Sequence, residues 1–208
     1  MTLLDFAGVC DPLTWLKTMH FLEDLTWDVC ARKEKVRSTE GAVLIPGRVD
    51  NDLAEYDYVI IPGGDGIKDL MQDRAFLHWI SVASDTTTVG AVCGGSLLRG
   101  ADGMLRMKKA ATHPQLAGFL KNFAREVVPD RIVNERTLIT AGGVTPAIDP
   151  GPCLCGKIQG KGVRETIRLQ MDYRYSYGLT RQRVQPQKKR TGEIRQSRPY
   201  LPRAGRGT

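Results

Sequence analysis

The chain has 208 residues, is 41% hydrophobic and carries a formal net charge of +7, enough sequence for one domain with a buried core and some length left over. The charge is unevenly spread: from Arg181 onward there are nine Lys/Arg and one Glu, so the segment is +8 and residues 1–180 sum to −1. No apolar run approaches transmembrane length, the N-terminus lacks the basic and apolar regions of a signal peptide, and five cysteines in neither a zinc nor a disulfide spacing point to a reducing, cytoplasmic setting.

In chain order, a helix is expected around Leu13–Phe21 and a short strand at Trp27–Ala31. A stronger strand, Tyr56–Ile61, ends at Pro62-Gly63-Gly64. Residues 66–80 place Ile67, Leu70, Met71, Leu77 and Ile80 on one helical face, with an interruption near Asp73. The run 86–92 reads as a buried strand. It stops at Cys93, and Gly94-Gly95 lead into a short helix reaching about Gly100. Leu116, Phe119, Leu120, Phe123 and Val127 predict a helix over 115–128. Arg131–Val133 and Thr137–Thr140 read as strands around a turn at Asn134-Glu135. A last helix runs from about Cys153 to Met171. Pro150 and Pro152 are tolerated only near its first turn, and Gly160 and Gly162 are places where it can split. This β-α alternation predicts a parallel sheet with helices on both faces, whose sites gather at the carboxyl ends of strands. Residues 179–208, poor in core-forming side chains, are expected to form a basic disordered tail. It could make weak contact with nucleic acid; no other nucleic-acid partner and no membrane partner is expected.

Cys93 is the main candidate for chemistry. A cysteine at a strand–helix corner stands exposed, and the N–H groups and dipole of the following helix favour its thiolate. A buried structural cysteine is the plain alternative. Asp5 reads either as a first-turn or capping charge or as an acid. His113, before Pro114, reads as a cap for the helix from 115 or as a neighbour of Cys93.

Leu3-Leu4-Asp5-Phe6-Ala7-Gly8, Ile60-Ile61-Pro62-Gly63-Gly64, Ala91-Val92-Cys93-Gly94-Gly95-Ser96, Ala110-Ala111-Thr112-His113 and Thr140-Ala141-Gly142-Gly143-Val144-Thr145 occur in the order and spacing of the ThiJ/PfpI superfamily. The chain resembles most its isonitrile hydratase branch, over roughly residues 2–172. The resemblance implies a flavodoxin-like, three-layer α/β sandwich for residues 1–178, with a mostly parallel sheet and usually a homodimer. It implies Cys93 as nucleophile and Asp5 as the acid, a secondary role for His113, a small-molecule substrate and no cofactor or metal. The backbone N–H groups of Gly64 and Gly94 could then hydrogen-bond charge developing on that substrate. The chain departs from the pattern in three ways, one being that the segment Pro150–Gly162 is unusually rich in proline and glycine for a helix. A central first strand is expected before Leu3 and is missing, and Gly94 stands where the branch usually has Thr. Three activities fit: hydration of a small electrophile such as an isonitrile, glyoxalase- or deglycase-like chemistry on α-oxoaldehydes, and a non-catalytic sensor or regulatory domain. Asp rather than Glu as the acid favours the first, by resemblance.

Overall fold

The computed structural model describes residues 1–81 and 87–174; the expected basic tail at 179–208 lies outside the described residues. Helix α1 (Leu3–Thr18) leads into β1 (Cys30–Ala31), β2 (Val36–Arg37), β3 (Val43–Leu44) and β4 (Arg48–Val49). Then come β5 (Tyr58–Ile61), α2 (Ile67–Leu70), α3 (Arg74–Ser81), β6 (Thr88–Val92) and α4 (Gly95–Ala101). The order continues through β7 (Lys109–Ala110), α5 (Ala117–Leu120), β8 (Glu126–Val127), β9 (Ile132–Glu135), β10 (Leu138–Ala141) and α6 (Pro150–Gln170).

The main sheet has the order β5-β6-β10-β9, with β5, β6 and β10 parallel and β9 antiparallel. Strand alternation splits the core into two faces. Val59, Ile61, Val89 and Leu138 pack with Ile67, Ile80, Leu97, Leu98 and Leu120 from α2–α5. Val92, Ile139 and Ala141 pack with Val9 of α1 and Leu154 of α6 on the other. All five residues of β6 are buried, as befits a central parallel strand covered on both sides. The molecule is the α/β, flavodoxin-like sandwich that the residues led us to expect. Among the described residues, strand β1 pairs with β4 alone. The edge of β5 away from β6 has no strand partner among the described residues.

Several elements differ from their sequence expectation. Helix α1 begins at Leu3 and runs through Pro12; burial of Val9 and Leu16 against the opposite helix outweighs the proline's missing N–H. The expected strand from Trp27 shortens to Cys30–Ala31, and its partner Arg48–Val49 was not foreseen. The helix expected over 115–128 is a 3₁₀ turn (Pro114–Leu116) followed by the four residues of α5. Beyond it, the N–H groups of Arg125 and Val128 donate to Lys108 and Ala110, and β8 pairs with β7. Tertiary pairing takes the backbone there, and Phe119, on the expected buried face, is 61% exposed. The hairpin turn sits at Arg136-Thr137 rather than Asn134-Glu135, with Arg136 at φ 60°. Helix α6 starts at Pro150, its prolines in the first turn, and breaks at Gly160 (φ 88°). Asp149, just before α6, takes a forked pair of bonds from Arg131 at 2.8 and 2.9 Å, and Tyr173, just after it, accepts from the same guanidinium at 3.0 Å.

Candidate active site

Cys93 follows directly on β6 and has φ 54°, a left-handed conformation that costs a non-glycine residue of order 1 kcal/mol and persists only where surroundings impose it. Those surroundings are the end of β10 and the loop after β7. The Cys93 N–H donates to the carbonyls of Ala141 (3.0 Å) and Gly142 (3.2 Å), while the Thr112 hydroxyl donates to the Cys93 carbonyl at 2.7 Å. Ser96, in the first turn of α4, donates to the Ala111 carbonyl at 2.8 Å. The corner is thus clamped from both sides.

Asp5 reaches the same place from α1. The helix start is docked by Thr2 N–H on the Gly63 carbonyl (3.0 Å), and the Leu3 N–H donates to Glu40 from the β2–β3 turn at 3.2 Å. One turn in, Asp5 is fully buried. Neither of its oxygens accepts a hydrogen bond of normal geometry, so the capping alternative finds no partner. Burial pushes its pKa up; the Cys93 thiol, the Gly63 backbone and His113 pull the other way, and Glu40 adds to the rise.

Burial also dominates at Cys93, only 8% exposed. Together with the Asp5 charge it pushes the thiol up to about 12, against the opposing pull of the Gly94 N–H. This reverses the expectation that the corner favours a thiolate. The sequence shows a helix start but not the carboxylate beside it or the burial of both groups. Asp5 and Cys93 therefore form a coupled pair: burial raises both groups, the Asp5 charge raises the thiol further, and the thiol's hydrogen bond favours the Asp5 carboxylate.

The walls are backbone. A Cβ on Gly63 would stand 2.5 Å from Gly94 N and 2.9 Å from both Asp5 Oδ2 and Cys93 Cβ. A Cβ on Gly143 would lie 2.5 Å from Cys93 Sγ. Sequence alone assigns neither glycine a role; their signal is a place in Gly-Gly pairs within the Ile60–Gly64 and Thr140–Thr145 motifs. Gly64 has φ 124° and lies against the Met1 backbone. The N–H groups of Gly64 and Gly94 donate to no backbone carbonyl among the described residues. A Cβ on Gly94 would meet Ile67 Cγ1 at 2.9 Å, so the space a Thr side chain would need is taken by an apolar one. His113 is half-buried and its Nδ1 accepts the Gln115 N–H at 3.2 Å, capping the 3₁₀ turn. It acts on Asp5 only through its charge. No group of three or more metal-ligating side chains gathers among the described residues.

The pair makes a measurable expectation. Alkylation of Cys93 by iodoacetamide should keep rising with pH beyond 9, since a raised pKa keeps the thiol protonated through the range where an ordinary cysteine levels off. In Asp5→Asn the carboxylate's contribution is gone, and the curve should move to lower pH. By the same sign, the buried thiol favours folding below the unfolded value near 9 and loses that contribution as pH climbs toward 12. The alkaline limb of stability should therefore flatten in Cys93→Ala.

Comparison with known proteins places this geometry. Residues 15–150 match the DJ-1/PfpI family; the matched span holds Cys93 and His113 and starts after Asp5. An isonitrile hydratase of Pseudomonas putida is 35% identical over 171 residues, covering 82% of this chain and 73% of that protein. A ThiJ/PfpI family protein from Pseudomonas syringae superposes with a TM-score of 0.73 at 25% identity, over 86% of this chain and 73% of its own. Schizosaccharomyces pombe DJ-1 shares the fold, with a TM-score of 0.67 at 21% identity, over 82% of this chain and 93% of its own.

Proposed function

Because the chain belongs to the DJ-1/PfpI family, we propose that it is a cysteine-dependent hydratase that converts a small electrophile, an isonitrile, to an N-substituted formamide. The observation that carries the reading is the Asp5 carboxyl, buried without a normal hydrogen bond beside the Cys93 thiol. Held beside the thiol and the Gly63 backbone, the carboxyl can take and return the proton of a thiol that does not ionise unaided.

In this reading Cys93 Sγ bonds to the terminal isonitrile carbon. The thiol proton passes by way of Asp5 to that same carbon, giving a thioimidate, R–N=CH–S–Cys93. Water then adds across the C=N bond: its oxygen goes to carbon, one proton to nitrogen, and Asp5 carries the transfer. The C–S bond breaks, the sulfur recovers a proton from the hydroxyl, and R–NH–CHO leaves. The N–H groups of Gly64 and Gly94 stabilise charge developing on the substrate. His113 favours the ionised form of Asp5 between the two transfers. A homodimer belongs to the same reading, carried by the family resemblance.

The test incubates the intact chain with an isonitrile and, separately, with methylglyoxal, beside Cys93→Ala. Formamide from the first, absent in the variant, supports the reading. Lactate from methylglyoxal with no formamide overturns it in favour of oxoaldehyde chemistry. No product from either substrate also overturns it.

A further inference from the structure

At the opposite end of the sheet from Cys93, where β10 begins, a cleft of about 460 Å³ opens between the loop after α4 and the β9–β10 turn. Its lining includes Arg106, Lys108, Arg136, Met107 and Glu135. Three cations against one carboxylate is notable in a body whose residues 1–180 sum to −1. The carboxylate is also engaged elsewhere: Glu135 Oε1 accepts the backbone N–H of Lys109 at 3.1 Å. The Lys108 ammonium is held by the Met104 carbonyl at 3.2 Å, and a further ammonium, that of Lys157, donates to the Arg136 carbonyl at the rim. Among the described residues, none of these four cations makes an ion pair, and the guanidinium groups of Arg106 and Arg136 have no hydrogen-bond acceptor. Arg136 holds its place in a left-handed conformation, φ 60°, where glycine or asparagine would sit with less strain.

The geometry points to a binding site for a small multivalent oxyanion, phosphate- or carboxylate-bearing, separate from the Cys93 site. Paired guanidinium groups suit such ligands because each offers several fixed N–H donors. Like charges outnumber the carboxylate on this rim, Lys108 being also offset by Asp102, and a multivalent anion relieves the remaining repulsion while gaining charge-assisted bonds. Met107, 76% exposed at the rim, gives an apolar surface for the body of the ligand.

Calorimetry of the intact chain with inorganic pyrophosphate, and in parallel with citrate, tests the site. Saturable binding at one equivalent is expected, with Arg106→Ala and Arg136→Gly each weakening it about tenfold, the scale of one lost charge-assisted hydrogen bond. Preference for pyrophosphate assigns a phosphate ligand, and equal binding assigns the wider oxyanion class. Arg136→Gly adds a control of opposite sign: glycine relieves the left-handed strain, so its melting temperature should rise while anion affinity falls. Cys93 alkylation should be unchanged in both variants. Binding that is undiminished in Arg106→Ala/Arg136→Gly belongs to the basic C-terminal segment and overturns the proposal, as does binding of heparin with none of pyrophosphate or citrate.

Discussion

Asp5→Asn should abolish turnover of an isonitrile by the intact chain while leaving circular dichroism unchanged. The substitution preserves size and removes the ability to hold and return a proton. General acid–base assistance is typically worth about 10²–10⁴-fold, and here the loss should lie at the upper end. The reason is the thiol. Burial, the largest cause of its raised pKa, remains in the variant, so the thiol stays mostly protonated near neutrality while Asn cannot take its proton. Two readouts separate this from a structural role. Asp5 accepts no normal hydrogen bond, so its loss removes no cap, and Asn should cost stability only by burying an amide without partners, of order 1–3 kcal/mol. The Cys93 alkylation profile should also shift to lower pH, which a packing defect alone would not produce. Turnover within a few-fold of the parent would return Asp5 to a passive role.

Gly143→Ala should remove Cys93 reactivity by a different route. The added methyl would stand 2.5 Å from Sγ and 2.6 Å from Cys93 Cβ. The Cβ cannot swing away as a side-chain tip can, because Cys93 is fixed through its N–H to Ala141 and Gly142 and through its carbonyl to Thr112. Either β10 or the corner must shift. Over-packing of this kind typically costs about 1–3 kcal/mol, so a lower melting temperature should accompany a loss of iodoacetamide labelling at Cys93. Labelling at the parental rate with unchanged stability would show that the sulfur is not enclosed as described.

The parts of this fold legible from sequence are those whose signal is local. Val89–Val92 reads as a strand because it is buried on both faces and therefore apolar without interruption, and Val59–Ile61 because it is a run of β-branched side chains whose burial alternates. The break near Asp73 and the split at Gly160 were legible because Asp and Gly change the backbone's options where they stand. What was not legible depends on partners far along the chain. Arg48–Val49 is a strand only because Cys30–Ala31 lies beside it. The segment after Leu120 has helical periodicity, yet it surrenders its N–H groups to Lys108 and Ala110. In the site, Cys93 and its corner stood out, since strand, cysteine and glycines are contiguous. The enclosing role of Gly143 did not, being fifty positions away. Nor did the sign of the thiol's shift, which depends on burial and on a carboxylate brought from α1.

The break in α6 has a consequence for how the chain tolerates cutting. Gly160, Lys161 and Gly162 are exposed, a sequence trypsin can cleave and a site where the helical ladder is already interrupted. Both halves of α6 are nonetheless anchored elsewhere. Cys155 before the break and Ile167 after it share one buried cluster with Leu16, and Arg131 grips Asp149 and Tyr173 at the two ends. A single nick after Lys161 should therefore yield two fragments that stay together through gel filtration and separate only in denaturant. Mixed after separation, they should reassemble, which makes the second half of α6 a removable and replaceable part.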